Sequence, residues 1–128
     1  VNKRNEYTEE IIEALCKEQK ISEIELYKIR AENDDLPDGV LLGFLLGHFV
    51  NRPEVTNWKT MLNELERILT KSQNDEQIRL IYQEIFESIS NVIANKALDP
   101  KWILPHLGPQ SRDYLNEYEK WVGSSFRY

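Results

Sequence analysis

Two histidines, one cysteine and a scatter of carboxylates are the side chains of this 128-residue sequence best suited to act on a bond or hold a metal ion. A helical metal site draws its ligands from positions three or four apart, and neither His48 nor His106 has a Glu or His at that distance. Both read as structural histidines. Cys16 would need an electropositive setting to become a reactive thiolate, but its stretch is rich in glutamate and it falls on the apolar side, so it reads as a core thiol. A general acid needs a buried carboxyl, and the adjacent pairs Glu9-Glu10 and Asp34-Asp35 sit in polar stretches and read as solvated. No phosphate-binding loop, dinucleotide fingerprint or nucleophile elbow occurs. The chemistry-bearing residues lead to the expectation of a protein that is not an enzyme and carries no metal or cofactor.

Charge is the second signal. The chain has 22 Asp and Glu against 16 Lys and Arg, a net charge of -6. The excess is uneven: residues 1–39 hold 11 acids and 6 bases, residues 40–128 hold 11 and 10. Affinity for phosphate comes from clustered bases that release counterions, so scattered and outnumbered bases argue against direct nucleic-acid binding. An acidic end instead attracts a basic protein and speeds its capture. The residues expected to bind such a partner are Glu9, Glu10, Glu13, Glu32, Asp34, Asp35 and Asp38. For any one of them alone, a solvated surface position is the plainer reading.

The elements that position these residues are helical, because apolar residues recur at helical spacing and no segment alternates as a strand does. The fold class expected is all-α, a single bundle of six or seven helices over residues 1–128, with 1–6 and 124–128 loose. The first helix runs from about Thr8, its N-cap, to Lys20, and buries Ile11, Ile12, Leu15 and Cys16. Ser22 and Glu25 form a capping box for a second, with Ile24, Tyr27 and Ala31 along one side. A loop over 33–39 precedes an apolar helix at 39–50. The cleanest pattern follows, with Trp58, Met61, Leu62, Leu65, Ile68 and Leu69 on one face. A long helix from about Asp75 to Lys96 carries Ile78, Ile81, Tyr82, Ile85, Ile89, Val92 and Ile93. Asp99-Pro100 starts a short helix, and a last one opens at Gly108-Pro109 and stops at Gly123.

The run 39–50 is well short of the roughly 20 apolar residues that span a bilayer, so it is expected to be a buried central helix and not a membrane span. Gly39, Gly43 and Gly47 recur every four residues and predict a seam for close helix packing. On that reading, leucine at position 43 overpacks the core. The start of the chain lacks a signal-type apolar region, and a single cysteine allows no intrachain disulfide, so a cytoplasmic location is expected.

The segment Leu104-Pro105-His106-Leu107-Gly108-Pro109-Gln110-Ser111-Arg112-Asp113-Tyr114-Leu115 resembles the Leu-Gly-Pro-x-Ser-Arg turn and terminal helix of small helical bacterial immunity proteins, encoded beside polymorphic or contact-dependent toxins. The likeness covers residues 104–122, with a looser match in helix layout from residue 38 onward. It implies a non-catalytic inhibitor that binds a cognate toxin domain, often a nuclease, and covers its active or substrate-binding site. The acidic bias fits this on its own terms, since a nuclease presents basic residues to phosphate. The reading from another class is a helical scaffold or regulatory domain that self-associates through its glycine helix or exposed Trp and Tyr residues.

Overall fold

Four side-chain caps divide the chain. Ser22, Asn57, Asn74 and Asp99 accept hydrogen bonds from the backbone N–H of Glu25, Thr60, Gln77 and Lys101, at 2.9 to 3.1 Å. Each satisfies an N–H that a helix start leaves open. The computed structural model describes residues 1–128 and contains helices and turns but no strand. The helices are α1 (Glu6–Cys16), α2 (Glu23–Glu32), α3 (Asp38–Val50), α4 (Trp58–Lys71), α5 (Asp75–Arg79), α6 (Glu87–Ala94) and α7 (Pro109–Trp121). A π-helical segment, Leu80–Phe86, joins α5 to α6, and single 3-10 turns occupy Pro53–Val55, Pro100–Trp102 and Leu104–His106. No helix is long and apolar enough to cross a membrane.

The six periodic residues of α4 are all buried, and α4 packs against α1 on one side and α7 on another. Ile11, Ile12, Ala14 and Leu15 of α1 close the core from the N-terminal end. That helix starts at Glu6, two residues before the cap expected at Thr8. Thr8 is fully buried, and its hydroxyl donates to Asp38 at 2.8 Å. The helix ends at Cys16, before a reversal in which Glu18 takes a positive φ of 55°.

The long helix expected from Asp75 to Lys96 is present over Asp75–Ala94, but it is not one α-helix. A π segment bonds each N–H five residues back and winds more widely than an α-helix, so each face recurs later along the chain. Leu80 and Ile81 are buried, and Ile85 and Phe86 are the next buried pair. Straight α-helical winding would carry Glu84 to the core side and Phe86 toward solvent. The wider turn buries Phe86 completely and lets the Glu84 side chain lie against Gly39.

Two expectations need correction. The buried glycine seam is the first. Leu41, Leu42, Leu45, Leu46, Phe49 and Val50 form the buried face of α3, while a Cβ at Gly43 or Gly47 would meet nothing within 4 Å. Only Gly39 has a close neighbour, with a Cβ there falling within 2.5 Å of the Glu84 carboxyl. The glycines thus flank the buried face and make no helix-to-helix seam. Gly43→Ala is expected to stabilise the protein by about 0.5–1 kcal/mol, because an interior helical glycine costs backbone entropy and nothing here requires it. A lowered denaturation midpoint would show that a neighbour does crowd the site.

The second correction concerns α2, whose Ile24, Tyr27 and Ala31 face solvent. Leu26 and Ile29 are the side chains that reach the core cluster. The pattern carried two apolar lines of similar length, and contact with α1 and α3 selected the other one. Residues 1–6 and 124–128 are largely without regular structure and make specific contacts. Arg4 is anchored to residues 33–38, Ser124 N–H donates to the Glu119 carbonyl at 2.8 Å, and Tyr128 N–H donates to Asn116 Oδ1 at 2.9 Å. Burial pushes the Tyr128 phenol up to about 12.

Candidate partner-binding surface

The acidic N-terminal third divides into carboxylates with structural work and carboxylates left free. Asp38 opens α3, where a negative charge suits the positive helix start. Its two oxygens accept from Arg4 Nη1 and Thr8 Oγ1, both at 2.8 Å. The same guanidinium donates to the carbonyls of Leu36 and Asn33 at 2.8 and 2.7 Å, so one side chain satisfies the loop before α3. Asp34 accepts from the backbone and side chain of Asn2 at 2.8 and 3.0 Å. Glu9 pairs with Arg30, joining α1 to α2, and Glu10 accepts from Gln77 Nε2 at 2.6 Å. Glu13, Glu32 and Asp35 remain exposed with no side-chain hydrogen bond. Partners such as Arg4 and Asp38 lie far apart in sequence, and proximity of that kind leaves no local signal.

Next to these acids lies α2, with no buried residue. Ile24 is 78% exposed and Tyr27 60%, a large apolar outlay for one ten-residue helix. Exposed carboxylates at Glu23, Glu25 and Glu32 surround them, with Lys28. A groove of about 390 Å³ runs beside Tyr27, lined by Asn2, Glu9, Glu23, Leu26 and Arg30. Aromatic and aliphatic anchors within a charged rim are the anatomy of a protein-binding patch.

The histidine and the cysteine help to hold α2. His48 Nδ1 faces Arg52 Nη1 at 3.0 Å, and an arginine can only donate, so Nδ1 accepts and Nε2 carries the proton. Nε2 then points at Glu25 Oε2, 3.5 Å away on α2. Burial first, and then the Arg52 charge, hold the imidazole pKa below its ordinary value, consistent with the neutral ring. Cys16 lies under α2 beside Leu26 and Arg30, and burial pushes its thiol up to about 11. A thiol so shifted is a poor nucleophile at neutral pH. His106 ends the second of the two 3-10 turns before α7.

The Gly-Pro-x-Ser-Arg turn has a physical task that the sequence did not disclose. Glu66 of α4 receives the backbone N–H of Gln110 at 2.9 Å and of Ser111 at 3.0 Å, and the Ser111 hydroxyl at 2.7 Å. A carboxylate from another helix thereby caps the start of α7. Gly108 makes the approach possible, because a Cβ there would overlap Cγ and Cδ of Glu66. Pro109 supplies a first helical residue whose missing N–H is no loss. Arg112 donates to the Leu104 carbonyl at 3.3 Å and ties the turn to the helix. Comparisons of the chain with protein-family models, with curated proteins and with solved structures give no match.

Proposed function

We propose that this protein is a binding inhibitor that acts as an immunity protein, neutralising a basic toxin domain of nuclease type by covering its active or substrate-binding surface. The observation that carries the reading is α2, a helix with no buried residue that presents Ile24 and Tyr27 beside the free carboxylates of the N-terminal third. Desolvating such anchors supplies affinity, and the surrounding acids steer a basic partner to them. The resemblance of residues 104–122 to immunity proteins points the same way.

The experiment pairs the chain with the toxin domain encoded beside its gene and follows association kinetics and protection of cells. Reversing Glu13, Glu32 and Asp35 to lysine should slow association severalfold and flatten its salt dependence, because exposed charges act on encounter and are screened over about 8 Å at physiological salt. These three positions are chosen because Asp34 and Asp38 hold the fold together. Ile24→Asp with Tyr27→Ala should raise the dissociation rate instead. A complex indifferent to both sets, or cells left unprotected, would refute the proposal.

The second reading, a self-associating scaffold, draws on the outer side of α3. Val40 is 39% exposed and Phe44 57%, beside the open Gly43 and Gly47. A dimer in sedimentation that Phe44→Glu dissociates would favour it.

A further inference from the structure

A second surface, on other elements, is built for a cation. Where α6 and α7 meet the π segment, a groove of about 490 Å³ is lined by Gln83, Glu87, Tyr114, Glu117, Tyr118 and Trp121. Three of the six are aromatic, two are carboxylates and none is basic. Lys120, the base next along α7, is turned to Glu117 at 3.2 Å.

Tyr114 is held in place. Tyr82 of the π segment stacks on Tyr114 with ring centroids 4.0 Å apart and planes within 3°. The Tyr114 hydroxyl donates to Glu87 Oε2, which fixes the carboxylate at the groove and leaves its other oxygen without a partner. Tyr118 and Trp121 lie 6.1 Å apart, inclined at 32°. Burial, and then Glu87, push the Tyr114 phenol far up, and burial followed by Glu87 and Glu119 raises Tyr118. Both phenols are therefore neutral at physiological pH, and every group lining the groove is neutral or negative. Trp121 is 82% exposed at the end of α7, so this ring owes little of its position to core burial.

We infer that this groove receives an arginine side chain of a partner polypeptide, its guanidinium stacked on Tyr118 and Trp121 and donating to the open oxygen of Glu87. Aromatic faces attract cations through their quadrupole, and the Glu87 carboxylate at the same place adds direct charge complementarity. A guanidinium fits better than an ammonium because it is planar, lies flat on a ring and donates in its own plane to carboxylates. The site is an open surface groove and suits a side chain presented on a backbone. It is separate from α2 and does not depend on the identity of the partner proposed above.

The test is titration of the full chain with the blocked tripeptide acetyl-Gly-Arg-Gly-amide, read by two-dimensional NMR and tryptophan fluorescence. The neutral citrulline peptide and the lysine peptide are the controls. The arginine peptide should saturably shift the Trp121 indole N–H and the amides of 114–121, and the lysine peptide should bind more weakly. Citrulline should leave these signals unmoved at the same concentrations. Trp121→Leu, Tyr118→Leu and Glu87→Gln should each weaken binding by about three- to tenfold. Trp121→Leu changes a side chain that is almost fully exposed, so it tests the site even where Glu87→Gln disturbs Tyr114. Equal binding of citrulline, equal or tighter binding of lysine, indifference to Trp121→Leu, or shifts confined to the acids of α1 and α2 would each overturn the inference.

Discussion

Phe86→Ala is expected to remove about 3–5 kcal/mol of folding stability, the largest loss of any single truncation discussed for this protein. The side chain is completely buried, and its loss combines the transfer term for an aromatic ring with the cavity left behind. It is in the core only because residues 80–86 wind as a π-helix. Glu84→Ala is the matched control. Its carboxylate lies near the start of α3, where a favourable interaction with the helix dipole is worth about 0.3–1 kcal/mol. Denaturant unfolding of the two variants decides between the π register and a straight α-helix. A straight helix would reverse the order, with Glu84 facing the core and Phe86 tolerant of truncation.

Glu66→Ala is expected to cost about 2–3 kcal/mol. The substitution leaves the N–H groups of Gln110 and Ser111, and the hydroxyl of a Ser111 that is 1% exposed, without their shared acceptor. Hydrogen bonds to a charged group contribute about 1.5–3 kcal/mol each, and water reaches the half-exposed rim of this site and restores part of the loss. Gly108→Ala attacks the same joint from the other side, since its methyl takes the space of the Glu66 side chain. The two substitutions should therefore be strongly non-additive, the double variant losing little more than the worse single one. Independent losses in a double-mutant cycle would show that Gly108 has some other task.

The residues around Glu66 show how much of a site a sequence can reveal. Gly108, Pro109 and Gly123 mark the ends of α7, and these positions were legible because helix starts and stops have local chemistry. The carboxylate that completes the start comes from α4, more than forty residues away, and no local rule points to it. The acidic surface behaves in the same way. Its existence could be counted from the sequence, whereas the split between Asp38, held by Arg4 and Thr8, and the free Glu13, Glu32 and Asp35 depends on what folding places opposite each carboxylate. Tyr114, Tyr118 and Trp121 are spaced in the sequence as one line along a helix. That they stand over Glu87 and Gln83 as a groove follows from how α7 docks on the π segment and α6.

The sequence by itself determined the helical class, the side-chain caps at Ser22 and Asp99, the break between α2 and α3, and the buried stripe of α4. Each of these depends on residues within a turn or two of one another. Tertiary structure decided where two local solutions were of similar quality. The glycines and leucines of 39–50 offer a bare face and an aliphatic one, and burial of the larger apolar area turned Leu41, Leu42, Leu45 and Leu46 inward and left Gly43 and Gly47 open. Residues 80–86 could wind as α or π, and the core space filled by Ile85 and Phe86 together selected the wider turn. For α2, the Leu26 and Ile29 side met the rest of the protein, and Ile24 and Tyr27 stayed at the surface, because side-chain spacing fixes which residues share a face but only the neighbours fix which face is covered.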